Sequence, residues 1–178
     1  MTELWVFGYG SLIWRPGFPY VERQVARLIG AHRALCVYSW VHRGTRENPG
    51  LVLGLDQGGT CRGVAFRIAP EEREGVLAYL RTREQVTAVY RERLRPVLLS
   101  DGRRTPATAY LVDRNHPQYA GKLDEDAQFQ IVANAAGQSG INRDYVVNTA
   151  VHLAELGMPD AALDRLAHRL RAELPAGA

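Results

Sequence analysis

Leu4-Trp5-Val6-Phe7-Gly8-Tyr9-Gly10-Ser11-Leu12 opens the chain with a short apolar run that ends in a glycine-bracketed tyrosine and a serine. The run at 4–7 is rich in aromatic and β-branched residues and predicts a buried strand. Glycine takes positive φ without steric cost and lets a ligand approach the backbone. A strand that ends this way turns several N–H groups into a tight arc, able to hold an anion or a carbonyl oxygen. The same residues also serve a plain reversing turn. The chain therefore begins on a sheet, and the rest of it decides between a site and a turn.

Working outward, the strand pattern continues. Residues 25–29 alternate, 31–40 form another extended stretch, and a loop rich in Gly, Pro and Asn covers 42–50. Residues 51–55 and 63–68 read as two strands joined across Asp56-Gln57-Gly58-Gly59, a strong turn signal. Pro70 opens a helix, with Glu71 and Glu72 where the positive end of the dipole favours acids and Val76, Leu77 and Leu80 as its apolar residues. Strands at 93–99 and 105–112 flank Ser100-Asp101-Gly102, a hairpin with a connection longer than two residues. Beyond 113 the periodicity is helical. Helices are expected at 124–136, at 142–156 (capped by Asn142 and stopped by Gly157 and Pro159), and at 160–174 with Leu163, Leu166, Leu170 and Leu174 on one stripe. Strands first and helices last predict an α+β fold, a small, mostly antiparallel β-barrel or curved sheet flanked by helices. No repeat or linker divides the chain, so residues 1–178 read as one domain.

Composition narrows the partners. Net charge is only +3 and is carried by arginine, Lys122 being the one lysine. No dense basic run extends past Arg103-Arg104 and no aromatic–basic interleaving occurs, so no nucleic-acid partner is expected; a small acidic substrate suits the balance. Cys36 and Cys61 sit apart in strand-like apolar surroundings, without Cys-x-x-Cys or zinc spacing. They read as buried thiols of a reducing compartment, with no metal site. No signal-like stretch and no apolar run of about 18 residues is present, so a soluble, cytoplasmic protein without a membrane partner is expected.

Glu84 is the candidate for chemistry. Positions 77, 80 and 84 share one face of the helix from Pro70, so the carboxylate would lie along the apolar side, near the negative end of the dipole. Burial and dipole both push a glutamate pKa upward, as a general base working near neutrality requires. The competing reading is a frayed helix end with an exposed glutamate paired to Arg81 or Arg83. Ser11 is not in a Gly-x-Ser-x-Gly elbow and has no marked His/Asp partners, so it reads as a donor rather than a nucleophile. The segment lacks the Gly-Lys-Ser/Thr ending of a phosphate loop and the third glycine of a dinucleotide fingerprint. His42-Arg43-Gly44-Thr45 reads as a solvated loop able to reach a ligand, and His32, His116, His152 and His168 show no ligand spacing. Tyr145 shares a helix face with Thr149 and Leu156, as a core aromatic or as a hydroxyl lining a cavity.

These residues together resemble a known family. Trp5-Val6-Phe7-Gly8-Tyr9-Gly10-Ser11-Leu12-Ile13-Trp14 is similar to the N-terminal signature of the ChaC family of γ-glutamylcyclotransferases. The likeness continues through His42-Arg43-Gly44-Thr45, Pro49-Gly50-Leu51-Val52, Cys61-Arg62-Gly63-Val64-Ala65, Arg83-Glu84, His116-Pro117-Gln118-Tyr119 and Ser139-Gly140-Ile141-Asn142-Arg143-Asp144-Tyr145. The resemblance implies a small β-barrel with packed helices and cleavage of glutathione to 5-oxoproline and cysteinylglycine, without a cofactor. It maps the catalytic glutamate onto Glu84 and the substrate-binding loop onto Val6, Phe7, Gly8, Tyr9, Gly10 and Ser11, and matches Tyr145 to a tyrosine near the active-site helices. The loop N–H groups would hold either the γ-carbonyl oxyanion or the substrate α-carboxylate. Alternatives are the same reaction on other γ-glutamyl amino acids or amines, and a non-catalytic binder of a small acidic ligand. The sequence departs from the family where glycine commonly follows the glutamate by two to four residues: here it reads Gln85-Val86-Thr87-Ala88.

Overall fold

β1 (Leu4–Gly8) is buried at every position because strands cover it on both edges. It pairs antiparallel with β3 (Gly50–Ile68) from Leu4↔Ile68 to Gly8↔Val64, and meets β5 (Arg104–Val112) in parallel at Val6↔Thr108. With β2 (Glu22–Ser39) and β4 (Tyr90–Leu99) these strands close a five-stranded barrel in the order β1-β3-β2-β4-β5. The computed structural model describes residues 3–84 and 88–173. They divide into two compact units: residues up to Ala34 with Gly54–His116, and Leu35–Leu53 with the chain from Pro117 onward.

In the first unit, β4 and β5 form the expected hairpin, in register from Tyr90↔Val112 to Leu98↔Arg104. Its turn is closed by Gly102 N–H donating to the Leu99 carbonyl (3.0 Å) and by Asp101, which accepts from the Arg103 amide at 3.0 Å. The turn expected at Asp56-Gln57-Gly58-Gly59 does not reverse the chain: β3 is continuous through it. Gly58 and Gly59 have φ of +92° and +73° and bend the strand as a barrel wall must bend. Asp56 satisfies the bend by accepting from the Gln57 amide (2.8 Å) and from Arg114 Nε (2.7 Å), and His32 Nδ1 donates to the Gly58 carbonyl at 2.9 Å. β2 likewise runs unbroken across Gly30, where two stretches were expected. Pro70 starts a single 3-10 turn, and α1 (Arg73–Glu84) follows it.

The second unit packs α2 (Glu125–Asn134), α3 (Asn142–Glu155) and α4 (Ala161–Glu173) on one another, with a two-residue pairing of β6 (Ala136–Gly137) and β7 (Gly140–Ile141). Asp124 caps α2 by accepting from the Ala127 amide at 2.8 Å. Leu163, Leu166 and Leu170 form the buried stripe of α4; Leu174 lies outside the described residues. Asn142 does not cap α3 with its side chain. Fully buried, its amide accepts from Leu51 N–H (2.7 Å) and donates to the Leu51 carbonyl (2.8 Å), like a missing ladder rung, while Ile141 takes the cap position. Cys36 and Cys61 are both buried. Among the described residues no helix is long and apolar enough to cross a membrane.

Candidate active site

Val76, Leu80 and Glu84 follow at four-residue spacing, so the Glu84 carboxylate continues the buried face of α1, and Leu77 lies half-buried at its edge. The Glu84 side chain is only 16% exposed, which sets aside the exposed, frayed alternative. Arg81 is committed elsewhere: its Nε and Nη2 fork onto the Glu92 carboxylate at 2.9 and 3.0 Å. The cation beside Glu84 is Arg83, with Nε 3.7 Å from Oε1, too long for a hydrogen bond. Burial pushes the Glu84 carboxyl above the usual glutamate value, and the Arg83 charge offsets part of that.

The glycine segment is buried from Val6 to Gly10, with Ser11 exposed. It ends in a 3-10 turn at Ser11–Ile13, closed by Ile13 N–H to the Gly10 carbonyl at 2.9 Å, and Arg15 N–H donates to the Ser11 carbonyl at 2.7 Å. Arg33 Nε donates to the Tyr9 carbonyl at 2.7 Å. Gly63 in β3 leaves the room the segment needs: a Cβ there would stand 2.3 Å from the Gly8 oxygen and 2.6 Å from the Phe7 ring. The N–H groups of Gly10, Ser11 and Leu12 have no acceptor among the described residues. They are donors available to an oxyanion or carboxylate.

Arg83 joins the segment to the helix that carries Glu84. Its Nη2 donates to Ser11 Oγ at 2.9 Å, and its Nη1 to the carbonyls of Arg15 and Pro16 (2.7 and 3.3 Å) and to the Tyr79 hydroxyl (3.0 Å). Ser11 therefore accepts a bond from a cation, which leaves its own O–H to donate and gives no base to activate it. Tyr145 belongs to the second unit. Its hydroxyl accepts from Leu53 N–H at 3.0 Å, and the Arg43 guanidinium stands 5.4 Å from its ring centroid. The loop at 42–45 is tied down rather than loosely solvated. His42 Nδ1 meets Ser139 Oγ at 2.9 Å, and the Gln138 and Ser139 amides donate to the Val41 and His42 carbonyls at 2.8 and 2.9 Å.

Sequence reasoning passed over Tyr110. Buried on β5, it donates to Glu92 Oε2 at 3.1 Å. Burial, followed by the Glu92 charge, raises the pKa of its hydroxyl, and the Glu84 charge adds to this. Tyr110 therefore stays protonated within reach of the Glu84 charge, while the hydrogen bond from Arg81 holds Glu92 below the usual range. The signal was available: the hairpin register places Glu92 opposite Tyr110.

A family model described as ChaC-like protein matches residues 4–173. The chain belongs to the ChaC-like family. Among curated relatives of this ChaC-like chain, the glutathione-specific gamma-glutamylcyclotransferase of Escherichia coli is 36% identical over 163 residues, covering 92% of this chain and 71% of the relative. The glutathione-specific gamma-glutamylcyclotransferase 1 of Homo sapiens is 34% identical over 168 residues, covering 92% and 75%. A crystal structure of a γ-glutamyl cyclotransferase specific to glutathione from yeast superposes with a TM-score of 0.85 at 24% identity, covering 97% of each chain, and shares the fold. Ala88 has φ of +56°, the only non-glycine residue in the left-handed region among those described. That conformation is more costly for a residue with a Cβ than for glycine.

Proposed function

We propose that this protein is a glutathione-specific γ-glutamylcyclotransferase in which Glu84 carries the proton. The observation that supports this most directly is the buried carboxylate at the end of α1, linked through Arg83 to the glycine segment that follows β1. The names of the relatives support glutathione as substrate. The γ-glutamyl α-ammonium gives a proton to Glu84, and the freed amine attacks its own γ-carbonyl carbon. A five-membered ring closes, and the bond to the cysteine nitrogen breaks as Glu84 returns the proton to that leaving nitrogen; the second proton shed by the ring nitrogen follows by the same carboxylate, so the cysteine nitrogen departs as an ammonium. The products are 5-oxoproline and cysteinylglycine, and protons and electrons balance within the substrate and one carboxylate.

The physics needs little equipment. Holding the substrate folded for ring closure supplies orientation worth up to about 7–11 kcal/mol in the best cases. Proton transfer through a positioned carboxylate contributes about 10² to 10⁴ in rate. The burial that raises the Glu84 pKa brings it nearer to that of an amine and eases transfer in both directions. The N–H groups at Gly10 to Leu12 are suited to the developing oxyanion or to the substrate α-carboxylate. The test is to incubate the protein separately with glutathione, with γ-glutamyl dipeptides and with γ-glutamyl amines, and to assay 5-oxoproline. Release from glutathione in preference to the others is expected. Release only from the others moves the substrate assignment, and release from none leaves a ligand-binding protein.

A further inference from the structure

We propose that Arg83 is a positioning residue of this reaction: its guanidinium fastens the glycine segment to the end of α1 and stands as the counter-charge of Glu84, so that the binding and proton-transfer halves are held by one side chain. The proposal rests on the cyclotransferase reading of the site. Arg83 makes four bonds, and each goes to a neutral oxygen: Ser11 Oγ, the Arg15 and Pro16 carbonyls, and the Tyr79 hydroxyl. Three of these lie on the segment that follows β1, about seventy residues away in the chain. Among the described residues no carboxylate lies within hydrogen-bond reach of the guanidinium, and its ion pair is with Glu84 at 3.7 Å. At that separation the cation favours the ionised carboxylate through its charge while occupying none of its lone pairs. Those lone pairs stay available to the substrate's proton.

The other groups near Glu84 do not replace it. Tyr110 on β5 is neutral, and beyond it the Arg81 and Glu92 charges cancel in a forked pair. A lysine at position 83 would keep the charge but has no planar fork to span the four acceptors. A glutamine would keep a donor and lose the charge. The two substitutions therefore separate the two roles.

The test compares wild type, R83K and R83Q, with far-UV circular dichroism confirming that each is folded. Two readouts need no turnover. Side-chain ¹³C NMR follows the Glu84 carboxyl titration, and hydrogen exchange follows the Ile13 and Arg15 amides, which report the ordered turn. The Glu84 midpoint should rise in R83Q and stay near wild type in R83K, while both amides should exchange about 10-fold faster in both variants, the scale set by losing bonds to a charged group. Kinetically, R83K should raise KM by about 10-fold with kcat little changed, and R83Q should also lower kcat and move the acid limb of kcat/KM to higher pH. Unchanged Glu84 titration and unchanged amide exchange in R83Q would overturn the proposal. Shifted titration and exchange in a protein that makes no 5-oxoproline would instead overturn the reaction and leave the tie standing.

Discussion

The burial of Glu84 was foreshadowed by its phase with apolar residues on one helix face. The same spacing also fitted an exposed glutamate paired to a neighbouring arginine, and in the sequence only the resemblance decided between them. Arg83 was legible only as a neighbour, because Ser11, Arg15 and Pro16 are distant in sequence and nothing local announces that they converge. The raised Glu84 pKa has a consequence for stability. The folded protein holds this proton more tightly than the unfolded chain does, so the protonated carboxyl contributes its stability below the ordinary glutamate range. That contribution is lost as pH rises through the higher folded value. E84Q should therefore match wild type in urea unfolding near pH 4 and exceed it at pH 8; an equal difference at both pH values would contradict burial as the cause. Ala88 gives a second expectation. Its φ of +56° costs a Cβ-bearing residue about 1–2 kcal/mol, so A88G should raise stability by about 1 kcal/mol, read as a shift in the urea midpoint.

At the scale of elements, β1, the β4–β5 hairpin and the three C-terminal helices were readable because each carries an uninterrupted period. β2 and β3 were not, since glycine and aspartate mark a bend within a strand with the same residues that mark a reversal. Only the partners of the bend, His32 and Arg114, tell the two apart, and they come from other parts of the barrel. Asn142 misled in the same way: the residue type fits a cap, but its two bonds to Leu51 are long-range. Gly63 carries the element-scale prediction. A methyl there would collide with the Gly8 oxygen, pushing β3 away from the floor of the glycine segment. G63A should cost about 1–3 kcal/mol and reduce turnover with it. Wild-type stability in G63A would show that the close approach of the two strands is not required.

For the whole molecule, the order of strands and helices was enough for an α+β fold built on a barrel or a curved sheet, and the closed barrel is what the structure has. The division into two units was not legible, since its boundaries fall inside β2, after Ala34, and inside β3, after Leu53, rather than in linkers. The proposed reaction is tested most directly by the stoichiometry of its products from glutathione. Wild-type protein should release 5-oxoproline and cysteinylglycine in equal amounts, and E84Q should be slower by about 10² or more while remaining folded. Turnover by E84Q at the wild-type rate would contradict the assignment of Glu84 as the proton carrier.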